Sequence, residues 1–329
     1  MSQFDFADLS PDLILDALES HGVRVDSGLL PLNSYENRVY QFLDEDRKRW
    51  VVKFYRPQRW SDAQIREEHD FAFELVDEEI PVVAPVRLEG RSLQHHDGYR
   101  FALYESRGGR AVELADLDQL ERLGHFLGRI HALGAARGYE HRPAIGVERM
   151  LLEPRQVLME TELLPDYLRP AFEAILSPLC EAVALAWEKH AQVPFIRLHG
   201  DCHAGNLFNG PDGIFFVDLD DSLMGPAMQD LWMLLSGSRS EQEDQLCVLA
   251  EAYEEFMPLD KRQLHLVEPL RAMRIIHHMA WLARRWSDPA FPQSFPWFSS
   301  GKYWENQILS LKECLAALDE PPLRLLTGL

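Results

Sequence analysis

The chain has 329 residues, more than one compact core usually accommodates, so two lobes or domains are expected. Hydrophobic residues make up 46% and charged residues 26%, an ordinary globular composition that leaves little room for long disorder. The formal net charge is −20, from 33 basic and 53 acidic residues, and a field of that sign disfavours nucleic acid and anionic membrane surfaces as partners.

The cysteine spacing and the N-terminal segment indicate a cytoplasmic protein. No CxxC pair is present, so neither a zinc finger nor a disulfide framework is expected. The first eight residues carry no basic and no apolar segment, which predicts no signal peptide. No apolar run approaches the roughly 20 residues needed to cross a bilayer, so no membrane association is expected. The cysteines expected to be reduced are Cys180, Cys202, Cys247 and Cys314.

Short strands dominate the first hundred residues. The aromatic and β-branched runs at residues 38–43 and 49–55 are separated by a polar stretch, which predicts a hairpin. A helix is predicted over residues 62–76, and a further strand over residues 99–104.

Helical periodicity dominates after the Gly-Gly link at residues 108–109. In the main interruption, residues 195–221, two short apolar runs flank polar and glycine-rich loops. The expected fold is therefore α+β and bilobal, with a small β-rich lobe at residues 1–107 and a larger helical lobe at residues 108–329. The predicted helices of the second lobe cover residues 118–133, 171–190, 241–256, 264–286 and 304–318.

The segment from His199 to Asn206 places a carboxylate and a carboxamide five residues apart across a glycine-containing loop. Phosphoryl transfer to a hydroxyl needs a carboxylate that orients the nucleophile and oxygen ligands for Mg²⁺. Asp201 and Asn206 are the candidates for these two roles. An ordinary turn rich in Asp, Gly and Asn is the alternative, so the spacing alone does not decide.

An apolar strand at residues 214–217 ends in three carboxylates. A carboxylate just past a buried strand is well placed to meet a metal ion. Asp218 is the first candidate for the principal Mg²⁺ ligand, and Asp220 is the second, because it could share the same strand face. Whether Asp220 assists the metal stays open, and Asp221 is interpreted as a cap or surface carboxylate.

Lys53 lies in the predicted strand at residues 49–55, directly before the predicted helix. In a kinase a lysine at this place reaches the α- and β-phosphates of the nucleotide. An edge-strand lysine that points to water is the alternative. On the helix, Glu68 falls in an otherwise apolar stripe and Glu67 does not, so Glu68 is expected to pair with Lys53. A solvated glutamate at the edge of the stripe is the alternative.

Two runs, Leu198-His-Gly-Asp-Cys-His-Ala-Gly-Asn-Leu-Phe208 and Phe216-Val-Asp-Leu-Asp-Asp221, resemble motifs of the aminoglycoside phosphotransferase and choline kinase-like superfamily. Within it, nearly the whole chain resembles the bacterial stress response kinase A (YihE/RdoA) family. The matching stretches are residues 25–29, 31–42, 51–57, 197–206, 229–235, 252–256 and 268–274.

This resemblance implies a protein-kinase-like fold and an ATP-dependent serine/threonine protein kinase that acts in the cytoplasm during bacterial stress. It implies a protein hydroxyl as acceptor, with the kinase itself among the substrates. Carried over by position, Asp201 is the proton acceptor, Asn206 and Asp218 bind Mg²⁺, and Asp218 is also an active-site carboxylate. Ser34 is the position implied to contact ATP.

The loop at residues 33–38 departs from the protein-kinase pattern, because G-x-G-x-x-G is absent between the first two strands. The pose of the nucleotide under this loop therefore stays open. We expect Lys53 and Ser34 at the phosphates of ATP. The adenine is expected beside Tyr104, Glu105 and Ser106.

Cys202 and the nearby histidines are interpreted as structural. His199 is expected to hold the catalytic loop by hydrogen bonds, and His203 to lie near the metal. A zinc site lacks a convincing third ligand. No cationic neighbour is visible that would lower the pKa of the Cys202 thiol, so it is expected to be unreactive.

Two other functions remain open at this point. One is a small-molecule kinase for choline, an aminoglycoside or homoserine, because a fold does not determine its substrate. A carboxylate-lined acceptor site would favour such a small cationic substrate. The other is a nucleotide-binding pseudokinase scaffold, which the complete set Lys53, Asp201, Asn206 and Asp218 disfavours. The protein is expected to be a monomer.

Overall fold

The computed structural model describes residues 5–325. Residues 1–4, part of the segment in which no signal peptide is expected, and residues 326–329 lie outside the described residues. The helices are α1 (Pro11–Glu19), α2 (Asp62–Asp77), α3 (Leu117–Ala136), α4 (Glu153–Glu160), α5 (Arg169–His190), α6 (Met228–Trp232), α7 (Arg239–Glu254), α8 (Val267–Arg285), α9 (Ala290–Ser294) and α10 (Gly301–Ala317). The strands are β1 (Leu30–Pro31), β2 (Arg38–Leu43), β3 (Arg49–Phe54), β4 (Gln94–His96), β5 (Tyr99–Glu105), β6 (Arg110–Ala111), β7 (Ile196–Arg197), β8 (Leu207–Gly210), β9 (Gly213–Phe216) and β10 (Met224–Gly225).

The chain forms two compact units, each assembled from more than one stretch of sequence. The first unit comprises Met1–Glu113, Tyr139–Arg142 and His203–Ser222. The second comprises Leu114–Gly138, Pro143–Cys202 and Leu223–Leu329. The first carries most of the strands and the second most of the helices, which confirms the predicted α+β class. The predicted division into two continuous lobes after residue 107 stays a prediction.

An antiparallel sheet in the order β1-β2-β3-β5-β4 forms the centre of the first unit. The predicted hairpin is present as β2 and β3, with Arg38 opposite Phe54. Val52 and Phe54 pack with α1 on one face of this sheet. Because side chains alternate along a strand, Lys53 lies on the opposite face.

Helix α2 has the predicted stripe of buried residues. Ser61 is its N-cap and forms a capping box with Gln64, which explains why the helix begins at this point. Four residues of the stripe, Glu68 included, are almost fully buried, as the periodicity predicted. The four are Ile65, Glu68, Ala72 and Leu75.

Helix α1 was missed by the sequence analysis, which predicted mainly strands in this region. Ser10 caps the helix by accepting a hydrogen bond from the Leu13 N–H, and Pro11 occupies its first position. Ile14, Ala17 and Leu18 are buried, at the spacing of one helix face. A nine-residue segment holds too few turns for this periodicity to stand out in the sequence.

In the second unit, α3 and α7 approach each other closely. A Cβ atom at Gly124 would lie 2.5 Å from the carbonyl oxygen of Leu249, and one at Gly128 would lie 2.6 Å from that of Tyr253. No side chain fits at either position, so the two glycines, one turn apart on α3, permit this packing.

Helix α5 is long and apolar enough to cross a membrane by length and composition, which corrects the expectation that no segment approaches this length. A core helix passes the same test. Seven of its side chains are buried, and it packs against α8 and α10 within the second unit. We therefore interpret α5 as a core helix of this unit.

Candidate active site

Lys53 and two aspartates form a cluster in the first unit. The Lys53 ammonium lies 2.8 Å from Asp218 Oδ1 and 3.3 Å from Asp220 Oδ1. Lys53 is 6% exposed, so the alternative of a lysine that points to water is wrong. Burial alone would lower the pKa of Lys53, but Asp218 and Asp220 raise it well above its ordinary value. The lysine is therefore a fixed positive charge.

Asp220 is the centre of this cluster and is 2% exposed. Burial would raise the pKa of Asp220, but Arg59 and then Lys53 hold it below its ordinary value. Its Oδ2 accepts hydrogen bonds from Arg59 and, at 3.1 Å, from the Asn37 amide. Asp221, interpreted from the sequence as a cap or surface carboxylate, is half-exposed and pairs with Arg59.

Asp218 has a left-handed backbone conformation, with φ of 61°. This region is costly for residues other than glycine, and such conformations concentrate at functional sites. The neighbouring residue Val217 donates its N–H to the Asn206 carbonyl oxygen at 3.0 Å, at the end of the hairpin formed by β8 and β9. The structure thus brings Asn206 and Asp218 to the same end of one hairpin.

The residues of this cluster fit a magnesium ion. The Asp218 carboxylate is half-exposed. Within the described residues, Asp220 Oδ1 accepts no hydrogen bond, and its contact with the Lys53 ammonium is an ion pair. Within residues 5–325, no group of three or more His, Cys, Asp or Glu side chains is placed to hold a metal ion. Two carboxylates and a nearby carboxamide suit Mg²⁺, which keeps several of its waters and takes few protein ligands.

The predicted ion pair between Lys53 and Glu68 is wrong. Glu68 is buried on the expected face, but its carboxylate pairs with Arg142 at 3.3 Å. Burial raises the pKa of Glu68 to about 7, and Lys53 and Arg142 act against this rise. Glu68 therefore acts on Lys53 through its charge and not through a contact. No sequence pattern predicted that Arg142 lies beside α2.

Glu67 also has a role that the sequence analysis missed. Its carboxylate accepts the backbone N–H groups of Glu140, His141 and Arg142, at 2.7, 3.0 and 2.8 Å. Arg142 in turn donates to the carbonyl oxygens of Asp220 and Ser222. The segment at residues 139–142 therefore ties α2 to the turn that carries the aspartates.

Tyr104 begins a buried chain of hydrogen bonds in the first unit. Its hydroxyl lies 3.0 Å from the Tyr55 hydroxyl, which lies 2.7 Å from His69 Nε2. Nδ1 of His69 lies 2.9 Å from the Ser92 hydroxyl. Burial lowers the pKa of His69 to about 3, and the charges of Lys53 and Arg142 lower it further. His69 is therefore neutral at physiological pH.

Acidification is expected to destabilise the protein through His69. His69 binds a proton below about pH 6.5 in the unfolded chain, but only near pH 3 in the folded chain. Protonation therefore favours the unfolded chain, and the unfolding free energy is full above pH 6.5 and falls as the pH decreases toward 3. Between pH 6 and 5, the unfolding free energy should fall more steeply in the native chain than in His69→Gln. The expected difference between the two slopes is about 1.4 kcal/mol per pH unit. Urea denaturation at several pH values measures this difference. Parallel pH dependences would contradict the assignment.

The other residues expected at the nucleotide also lie in the first unit. The Glu105 carboxylate pairs with Lys48, and the Ser106 hydroxyl accepts a hydrogen bond from the Gln41 amide at 2.7 Å. The Ser34 hydroxyl donates to the Asn37 carbonyl oxygen at 3.3 Å, closing a turn within the 33–37 loop.

Asp201 lies in the second unit, in a loop that one buried carboxylate holds. Asp230 accepts the N–H groups of His199 and Gly200, at 2.8 and 2.9 Å. It also bonds to His131 Nε2 at 3.0 Å. Gly200 has φ of 86°, a conformation that favours glycine. Asp230 therefore fixes the backbone directly before Asp201, a role that the sequence analysis did not assign.

Arg274 on α8 pairs with the Asp201 carboxylate, in which Oδ1 is the acceptor. His278, one turn further along α8, is affected by the charges of both residues. Burial lowers the pKa of His278, and Arg274 lowers it further. The Asp201 carboxylate is therefore ion-paired on the side that faces α8. Helical periodicity predicted the helix α8, but it did not predict that Arg274 on this helix pairs with Asp201.

His199 and His203 each accept a backbone hydrogen bond, and the position of His203 near the metal stays a prediction. The Asp201 N–H donates to His199 Nδ1 at 3.4 Å, and the Gly205 N–H donates to His203 Nδ1 at 2.9 Å. Cys202 is fully buried. Burial raises the pKa of the Cys202 thiol well above its ordinary value, and Asp230 and Asp201 raise it further, so this thiol is unreactive.

Comparison with known proteins identifies the family. The model of the phosphotransferase enzyme family (APH) matches residues 28–267. Stress response kinase A of Escherichia coli (strain K12) is 52% identical over 324 residues, which are 98% of this chain and 98% of that protein. The serine/threonine protein kinase RdoA of Salmonella typhimurium (strain LT2) is 52% identical over 322 residues, which are 98% of this chain and 97% of that protein.

Solved structures with the same fold are distant in sequence. A microcompartment-associated aminopropanol kinase matches with a TM-score of 0.72 and 18% identity, over 96% of this chain and all of that one. Amicoumacin kinase hAmiN in complex with AMP-PNP, Ca²⁺ and Ami matches with a TM-score of 0.70 and 17% identity, over 93% of each chain. These two confirm the predicted kinase-like fold. The chain therefore belongs to the stress response kinase A family of the aminoglycoside phosphotransferase-type enzymes, and it is a kinase that uses an alcohol group as acceptor.

Proposed function

We propose that the chain is an ATP- and Mg²⁺-dependent serine/threonine protein kinase that phosphorylates protein hydroxyls, its own included, in the cytoplasm during stress. The observation that carries the proposal is the buried Lys53 paired with Asp218 and Asp220. Catalysis of phosphoryl transfer consists mostly of positioning and charge stabilisation, which a fixed cation beside metal-binding carboxylates provides. The relatives named as stress response kinase A and as a serine/threonine protein kinase support this choice. We propose a monomer.

In the first unit, Lys53 binds the phosphates of ATP. Asp218 and Asn206 are the proposed ligands of Mg²⁺, which when bound neutralises phosphate charge. Asp220 holds Lys53 in place, and the buried charge of Glu68 supports its protonated state. Tyr104, Glu105 and Ser106, at the end of β5, are the proposed neighbours of the adenine, with Ser34 near the phosphates.

In the second unit, Asp201 accepts the proton of the acceptor hydroxyl. The hydroxyl oxygen then forms a bond to the γ-phosphorus, the bond from that phosphorus to the β–γ bridging oxygen breaks, and ADP leaves. Arg274 compensates the charge of Asp201, so this ion pair does not attract a cationic group on the acceptor. The compensated charge argues against amino-alcohol acceptors of the kind that the name aminopropanol kinase indicates for the structural neighbour. It supports a neutral or acidic acceptor such as a protein segment.

The test is incubation of the purified chain with γ-labelled ATP and Mg²⁺, with no acceptor, with a generic protein, or with choline and aminopropanol. Phosphoamino-acid analysis is expected to give phosphoserine or phosphothreonine from the protein reactions. Label found only on the amino alcohols would show a small-molecule kinase. ATP binding without transfer to any acceptor would show a pseudokinase scaffold.

A further inference from the structure

Arg56 holds the carbonyl oxygens of the 33–37 loop, which contains no glycine. Its Nε donates to the Glu36 carbonyl oxygen at 2.8 Å, and its Nη2 donates to that of Tyr35 at 3.2 Å. The same guanidinium pairs with the Glu36 carboxylate at 3.2 Å, and Arg56 is 7% exposed. Arg38 also donates to the Tyr35 carbonyl oxygen, at 3.1 Å, so Arg56 shares that contact and is the residue that holds the Glu36 carbonyl.

Peptide planarity determines where the N–H groups of this loop point. The C=O and N–H of a trans peptide lie on opposite sides, so a carbonyl turned toward Arg56 turns the next N–H away from it. The N–H groups of Glu36 and Asn37 therefore point to the side of the loop opposite Arg56. No residue of the 33–37 loop has a positive φ, so this orientation needs no glycine.

Asn37 connects the loop to the cluster around Lys53. Its Nδ2 donates to Asp220 Oδ2 at 3.1 Å, and its Oδ1 accepts the backbone N–H of Arg56 at 3.0 Å. Asn37 is 3% exposed, so both bonds are shielded from water. Asn37 therefore ties the loop to Asp220, the ion-pair partner of Lys53.

We propose that Arg56 is a positioning residue that turns the N–H groups of the 33–37 loop toward the nucleotide phosphates, in place of the glycines of other phosphate-binding loops. The proposal rests on the proposed function, because it takes ATP as the ligand. Successive backbone N–H groups that point to one side form an anion-binding concavity. Arg56 itself faces the other side of the loop and does not contact the phosphates. It therefore controls the affinity for phosphate groups and leaves nucleoside affinity unchanged.

Calorimetric titration of the full chain with adenosine, and with AMP-PNP in the presence of Mg²⁺, separates these two affinities. For Arg56→Ala we expect the Kd of AMP-PNP to rise about tenfold or more, since the Glu36 carbonyl can then turn toward the phosphates, with adenosine affinity unchanged within about twofold. Arg56→Lys should give an intermediate loss, because an ammonium lacks the planar fork that bonds two carbonyls. Arg24→Ala, at an exposed ion pair with Glu45, is the matched control and should bind both ligands normally.

Equal losses of adenosine and AMP-PNP affinity would show that Arg56 merely stabilises the unit, and unchanged AMP-PNP affinity would show that it has no effect on the loop. Either result overturns the inference. If Arg56→Ala shows no cooperative melting, the test uses Arg56→Lys instead. A loss of AMP-PNP affinity without a loss of adenosine affinity in that variant supports the inference, and equal losses overturn it. If the native chain transfers phosphate but the Arg56 variants bind AMP-PNP normally, only this inference fails. If the native chain does not bind AMP-PNP, the proposed function fails with it.

Discussion

Replacing Asp201 by asparagine should lower kcat about 10²- to 10⁴-fold, because an amide cannot accept the proton of the acceptor hydroxyl. The backbone of the loop should persist, since the carboxylate of Asp230 still accepts the N–H groups of His199 and Gly200. The affinity for ATP should change little, because the proposed phosphate ligand is Lys53. Steady-state kinetics with labelled ATP, together with nucleotide titration, measure both quantities.

Asp212→Asn is the matched control, because Asp212 is an exposed aspartate in the turn between β8 and β9. It should have the kcat of the native chain. Full phosphate transfer by Asp201→Asn would show that another group accepts the proton. A loss of cooperative unfolding in this variant would instead indicate that its ion pair with Arg274 is structural.

Asp218→Asn should lower kcat by about 10³-fold or more and raise the Mg²⁺ concentration needed for half-maximal rate, because the proposed anionic ligand of Mg²⁺ would lose its charge. The left-handed backbone at φ of 61° should survive, since asparagine tolerates this conformation better than most residues. The loss should therefore be chemical and not conformational. Rates measured over a range of Mg²⁺ concentrations test this expectation.

Asp221→Asn is the matched control for this experiment. Asp221 lies in the same turn and pairs with Arg59, but it has no assigned role at the metal. We expect its Mg²⁺ requirement to equal that of the native chain. If Asp221→Asn had the larger effect, or if Asp218→Asn kept its rate, the metal ligand would have been assigned to the wrong aspartate.

Local sequence patterns predicted elements and burial well where the elements are long or regular. The hairpin strand β2 begins and ends as predicted, and α2 has its predicted first residue. Such patterns succeed because the period of a strand or helix sets which side chains share a face. Buried polar residues on that face, such as Glu68, were identified in the same way.

Partners distant in sequence could not be predicted in this way. Glu68 was assigned to Lys53, but Arg142 pairs with it. Periodicity shows that a buried carboxylate needs a positive partner, and several cations in the chain could provide it. The folded path of the chain determines which cation lies next to Glu68. It brings the segment at residues 139–142, which contains Arg142, beside α2.

Sequence motifs predicted the candidate catalytic segment from His199 to Asn206, the lysine on β3 and the carboxylates after β9, because the residues of each motif lie close together in the chain. The charged partners of these residues could be assigned only from the folded structure. It placed Arg59 against Asp220, Arg274 against Asp201, and Arg56 behind the 33–37 loop. Charged groups remain in the interior only where opposite charges or hydrogen bonds compensate their lost hydration, and this compensation depends on the folded path of the whole chain.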